Sequence, residues 1–180
     1  TRIYMMLRVV LLILSTMLLT QCVPPNEEPI TKISMDVRDG KWQRVNNIVD
    51  ARHIDSLLQF VSDPDPTYRY MVAKGLAYGG QAKELDSLYK LLEDPVLLVR
   101  SMAATTLGLR GESSSAGHLL GAFKTKDTLN VDNAFNGAIL EAVGRTGGEN
   151  LLRNIATVST YRTTDTLLLL GQARAIYRYA

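Results

Sequence analysis

Asp63-Pro64-Asp65-Pro66-Thr67-Tyr68-Arg69-Tyr70-Met71-Val72-Ala73-Lys74-Gly75-Leu76-Ala77-Tyr78-Gly79-Gly80 decides the fold, because its key residues return at a constant offset further along the chain. Asp63-Pro64, Arg69, Val72-Ala73, Leu76 and Gly80 reappear as Asp94-Pro95, Arg100, Ala103-Ala104, Leu107 and Gly111. A fainter copy follows, with Asn136 at the Arg position, then Ile139-Leu140, Val143-Gly144 and Gly147. A fourth comes after that, with Ala173, Ile176 and Ala180 in register. Self-similarity at a period of roughly 30 to 40 residues means stacked helix pairs, since one pair cannot bury its apolar face alone. The expected fold is all-α, a solenoid of about four antiparallel helix pairs.

Working outward, the apolar residues keep helical time from Lys41 onward. Ile54, Leu57, Leu58 and Val61 mark the first helix of a pair, as do Leu85, Leu88, Leu91 and Leu92. Ala116, Leu119, Leu120 and Phe123 mark the next, and Leu151, Leu152, Ile155 and Val158 the last. Each second helix carries small residues that permit close approach: Ala73, Gly75 and Ala77; Ala103, Ala104 and Gly108; Ala134, Gly137 and Ala138; Gly171, Ala173 and Ala175. Asp63 and Asp94 are expected to cap the second helices, with the following proline in the first turn. Gly80, Gly111 and Gly147 are expected to end those helices in the left-handed conformation. Asp63, Arg69, Asp94 and Arg100 would form a ladder that fixes repeat stacking. Trp42, Val45, Ile48 and Val49 are expected to form a partial helix that covers the first pair.

Ahead of the repeats, Arg2 and Arg8 give a short leader its cationic start, and an apolar run from Val9 to Leu19 follows, broken only by Ser15 and Thr16. That run is roughly half of the ~20 residues needed to span a hydrocarbon core, which reads as an export signal over residues 1–22. Residues 23–40, with Pro24, Pro25, Glu27, Glu28 and Pro29, read as a tether, and 41–180 as the repeat domain. Lys and Arg total 20 and Asp and Glu 18, but two of the cations are Arg2 and Arg8, so the part after the leader balances at 18 against 18. With no clustered basic face in the sequence, nucleic acid is not an expected partner. A single cysteine leaves no intramolecular disulfide and no paired-cysteine metal or redox site.

Two resemblances extend this reading. Leu19-Thr20-Gln21-Cys22 resembles the lipobox of bacterial lipoproteins, which implies lipidation at Cys22 and anchoring to the cell envelope. Gln21 stands where that family has a small residue. The Glu27-Glu28 pair is similar to the surface-export signal of Bacteroidetes-type lipoproteins. The Asp-Pro, Arg, Ala-Ala, Leu-Gly, Gly phrase resembles the HEAT repeat in its short bacterial form, over roughly residues 50–180. HEAT arrays imply a protein-interaction scaffold whose second helices line a concave surface. On that basis Tyr68, Tyr70, Tyr78, Arg100, Asn133, Asn136, Glu141 and Arg174 are the expected contacts for a protein or peptide partner, Tyr and Arg being the types that concentrate interface energy. Segments 45–66 and 171–180 look like parts of arrays that precede a cyclophilin-like peptidyl-prolyl isomerase domain. Since Ile176-Tyr177-Arg178-Tyr179 keeps an apolar helical pattern, the second expectation is a longer isomerase lipoprotein.

The remaining chemistry-bearing residues read as structural. His53 and His118 lie two repeats apart without accompanying metal ligands, so neither metal nor cofactor is expected. Ser113-Ser114-Ser115 has no nucleophile elbow around it and is expected to cap a helix. The carboxylates Asp63, Asp65, Glu93 and Asp94 sit at turns, and the doublets Gly79-Gly80 and Gly147-Gly148 lack the lysine of a phosphate loop. No catalytic residue is assigned.

Overall fold

The computed structural model describes residues 32–125, 131–158 and 165–179. The leader over 1–22, Cys22 and the first part of the tether lie outside them.

Nine α-helices and no strand occur among the described residues. Asp39 starts α1 (Gly40–Asp50) by accepting a hydrogen bond from the Lys41 amide, which satisfies one of the free amides of the first turn. The first pair is α2 (Ile54–Leu57), tightening into a 3-10 turn at Leu58–Phe60, and α3 (Pro66–Gly75), which runs into a second such turn at Leu76–Tyr78. The second pair is α4 (Ala82–Leu91) and α5 (Leu97–Arg110), and the third is α6 (Ser115–Ala122) and α7 (Asn133–Thr146). The fourth is a 3-10 turn at Glu149–Leu151 leading into α8 (Leu152–Ala156), then α9 (Thr166–Tyr177).

Helices α1, α3, α5, α7 and α9 pack on one another in chain order and form one layer, while α4, α6 and α8 each lie against the following member of their own pair. This is a solenoid: neighbours touch in sequence order. Between the layers run Leu57, Leu76, Leu88, Leu107, Leu119, Phe135, Ile139 and Ile155, all essentially inaccessible to water. Each such side chain contributes about 1.5–3 kcal/mol by burial. Helix α1 supplies the fully buried Val45, with Trp42, Ile48 and Val49 partly buried beside it, and so covers α3 at the front of the stack.

Small residues set the spacing within the inner layer. A Cβ on Gly108 of α5 would come within 2.7 Å of the Ala142 Cα on α7, and one on Gly144 of α7 within 2.6 Å of the Ala175 Cα on α9. Gly108 and Ala142 hold the register positions that Gly144 and Ala175 hold one repeat later, so the same contact recurs with the repeat. Backbones this close leave room only for hydrogen on one side.

Four expectations about helix ends need correction. The residue that caps α3 is Asp65, whose side chain accepts from the Thr67 amide, and the proline in its first turn is Pro66. Asp63 and Asp94 sit two residues before the capping position, where they accept from the Asp65 and Val96 amides and close the turn. Of the three helix-ending glycines, Gly111 alone is left-handed, with φ of 69°; Gly147 is extended and Gly80 has no positive φ. Ser114 precedes α6 without a side-chain cap, and the Ser115 hydroxyl is buried, 3.1 Å from the Tyr89 hydroxyl. The end of the 23–40 segment is also engaged: the Ser34 amide donates to Thr67 Oγ1 and Ile33 packs on the core.

Candidate interaction surface

The Asp and Arg residues of the repeated phrase face the turns between helices and link one repeat to the next. The Arg69 guanidinium grips Asp94 of the following repeat through two hydrogen bonds, of 2.6 and 3.0 Å, and also donates to the carbonyls of Asp63 and Pro64. Arg100 repeats the pattern, donating to the Asp94 and Pro95 carbonyls and pairing with Asp132. At the front, Lys41 Nζ lies 2.8 Å from Asp63. The ladder therefore reads Lys41–Asp63, Arg69–Asp94, Arg100–Asp132. Asp94 holds the Arg69 guanidinium above its ordinary basicity. Asp132 escapes the repeat phrase because it stands two residues past the aligned position, so only its spacing from Arg100, close to one repeat, hints at the pairing.

These contacts remove several expected partner-binding residues from the surface. Arg100 is committed to its turn and to Asp132, with its guanidinium 5.3 Å from the Phe135 ring. Tyr68 is buried; its hydroxyl donates to Asp39 at 2.7 Å and Lys41 sits over its ring. Burial, then the bond to Asp39, pushes the Tyr68 phenol well above its ordinary value. Asn136 is buried too, clasping the Lys124 backbone with its oxygen on the N–H and its amide on the carbonyl. Asn133 opens α7 and is half-buried.

Tyr70, Tyr78, Glu141 and Arg174 do line open grooves on the inner layer. Two grooves, each of about 280 Å³, cross that face. The first, across α1 and α3, is walled by Trp42, Tyr70, Tyr78 and Lys74, with Arg52 packed 4.6 Å from the Tyr78 ring centroid. The second spans α5, α7 and α9, with Ser101 and Thr105 on one side, Ala134, Gly137 and Ala138 on its floor, and Leu167, Leu170 and Arg174 opposite.

Glu141 stands in the second groove with arginines around it. Arg145 donates to one carboxylate oxygen at 2.8 Å, Arg174 to the other at 3.1 Å, and Arg178 approaches to 3.8 Å. Burial pushes the Glu141 carboxyl up, but Arg145 and Arg174 outweigh it and hold it below the ordinary 4.5. Lys74, Thr105, Glu141 and Arg174 occupy one column of the repeat register, and Tyr78, Leu109, Arg145 and Arg178 the next. Sequence reasoning selected Glu141 and Arg174 but missed Ser101, Thr105, Arg145, Leu167 and Leu170. Extending each chosen position along its column would have found most of them.

Elsewhere, His53 precedes α2 and is exposed, and His118 stacks on Tyr89 at 3.7 Å between ring centroids. Among the described residues no group of three or more His, Cys, Asp or Glu is placed to hold a metal ion.

The family model for HEAT repeats matches residues 54–139, from the start of α2 into α7. No curated protein and no solved structure matches the chain. Helix pairs stacked in chain order, together with that match, make this chain an α-solenoid whose residues 54–139 are similar to HEAT repeats.

Proposed function

We propose that this chain is a protein-interaction scaffold that receives a partner along the inner helices, with no chemistry of its own. The observation that carries the reading is the division of labour between the two edges. The Asp and Arg side chains at the turns are consumed in repeat stacking, whereas the inner layer keeps open grooves whose walls mix exposed leucines, tyrosines and arginines. Such walls combine apolar area with directional charge, the composition of interface centres.

Photo-crosslinking in the cells that make the protein tests this. A crosslinkable residue at Thr105 or Leu170 on the inner layer is expected to give discrete adducts with another protein, and one at Asp86 on the outer layer is not. Adducts from Asp86 alone would overturn the reading.

We further propose that the scaffold is exported and held at the bacterial envelope by a lipid on Cys22, a reading supported by the lipobox-like Leu19-Thr20-Gln21-Cys22. Cys22→Ala is then expected to move the protein from the membrane to the soluble fraction. The expectation of a following peptidyl-prolyl isomerase domain rests on the resemblance of segments 45–66 and 171–180, and concerns residues beyond this chain.

A further inference from the structure

We infer that the groove across α5, α7 and α9 docks an acidic, leucine-containing segment of a partner protein, with Arg145, Arg174 and Arg178 receiving its carboxylates. The inference rests on the scaffold reading and names the partner chemistry of its second groove.

Charge comes first. Three guanidiniums converge on the single carboxylate of Glu141, at 2.8, 3.1 and 3.8 Å, which leaves two positive charges in excess at one end of the groove. After residue 22 the chain as a whole is balanced, so the excess is local. All three guanidiniums remain in reach of solvent, with Arg174 the most open at 56% side-chain exposure. Each has more donors than Glu141 can accept, and a planar guanidinium takes a carboxylate through paired hydrogen bonds. Two unspent charges call for two carboxylates, which an internal acidic segment supplies and a single chain terminus does not.

Shape and polarity specify the rest. Gly137 is already covered by the Leu167 backbone of α9, and the half-buried Ala134 and Ala138 beside it carry little bulk, so a partner segment can lie close to α7 there. Leu167 and Leu170 form the wall beside Arg174 and remain 54% and 45% exposed, an apolar surface that a leucine of the partner covers. Nucleic acid fits less well, because its charged backbone would leave the exposed Leu167 and Leu170 without an apolar partner.

The test uses the full-length chain and two short fluorescent peptides with both ends blocked, one alternating leucine and glutamate and the other leucine and glutamine. The acidic peptide is expected to bind about tenfold more tightly or better, a difference that shrinks as salt is raised. Arg174→Gln with Arg178→Gln is expected to abolish that preference. Glu141→Gln is expected to strengthen acidic binding several-fold, since it removes the internal competitor, an effect that loss of structure would not produce. Circular dichroism of each variant confirms that it is folded. Equal binding of the two peptides overturns the inference and leaves the scaffold reading standing. Binding of neither peptide also overturns it, as does capture of an oligonucleotide or of anionic vesicles by the same arginines in preference to the acidic peptide.

Discussion

Gly144→Ala and Gly117→Ala are the same chemical change at two helix interiors, and the structure assigns them opposite signs. In an exposed helix, alanine stabilises relative to glycine by about 0.8–1.0 kcal/mol. Gly117 meets that condition: it lies within α6, and a Cβ there has nothing within 4 Å. At Gly144 the added Cβ would sit 2.6 Å from the Ala175 Cα, 2.8 Å from its Cβ and 3.1 Å from its carbonyl oxygen. Carbon atoms rest about 3.5–4.0 Å apart, so α9 must withdraw by about 1 Å. Its nearest atoms there belong to backbone, and no rotamer change relieves the clash. Overpacking costs about 1–3 kcal/mol and a clash against backbone falls in the upper part of that range, so after subtracting a helix-propensity gain of about 1 kcal/mol the variant loses about 1–2 kcal/mol. Urea unfolding followed by circular dichroism reads both variants. With a slope of about 2 kcal/mol per molar, the Gly144→Ala midpoint falls by about 0.5–1 M while that of Gly117→Ala rises. Because solenoid energetics are nearest-neighbour, the Gly144→Ala loss concentrates on α8 and α9, whose amides exchange faster first. A Gly144→Ala midpoint equal to or above that of the parent would refute the close-packed inner layer.

The ladder predicts a second contrast. Arg69 and Asp94 have side chains only 11% and 4% exposed, so Asp94→Ala strands a buried guanidinium and costs about 3–5 kcal/mol by the same denaturation measurement. Lys83→Ala removes the open pair with Asp55 and changes stability by less than about 1 kcal/mol. Tyr68→Phe deletes the 2.7 Å hydrogen bond to the Asp39 carboxylate and is expected to lower the urea midpoint, with faster proteolysis before α1 as its local sign. Glu141 governs part of the acid limb. Its folded carboxyl titrates below 4.5, so as pH falls the unfolded chain takes up the proton first, and stabilisation present at neutral pH is lost below about pH 4.5. Glu141→Gln is therefore expected to flatten the stability profile there, and an unchanged acid limb would contradict the Arg145 and Arg174 contacts.

Sequence alone conveyed the architecture because the signals involved are local and repeated. Leu57, Leu88, Leu119 and Ile155 recur once per repeat and are all buried. Their period announces pairs of helices before any contact is known. What it did not convey was the use made of each polar side chain. The repeat offset placed Arg69 near Asp94, but whether Asp94 capped a helix or answered an arginine depended on a small shift of register within the turn. Tyr68 and Tyr70 are next but one in sequence, yet Tyr68 is buried with its hydroxyl on Asp39 and Tyr70 lines a groove. Likewise Asn136, a surface candidate by composition, is buried because the chain at Lys124 folds back over it. Such choices are settled by tertiary neighbours, and no one-dimensional pattern contains them.

The decay of the repeated phrase along the chain coincides with the appearance of the charged groove. In the first two pairs the guanidiniums occupy the ladder position, where Arg69 and Arg100 are bound to turn carbonyls and to the next carboxylate. In the third and fourth pairs that position holds Asn136 and Leu169, and the arginines stand further along the inner helices as Arg145, Arg174 and Arg178. Stacking of α7 on α9 does not depend on a ladder rung, since the Gly144–Ala175 approach brings the two backbones together directly. The same close approach narrows the floor between α7 and α9 and brings their arginines to a common point at Glu141. A substitution that spreads these helices would therefore weaken both the stack and the grip, whereas one at Arg174 weakens the grip and costs the stack only an exposed ion pair with Glu141, less than about 1 kcal/mol.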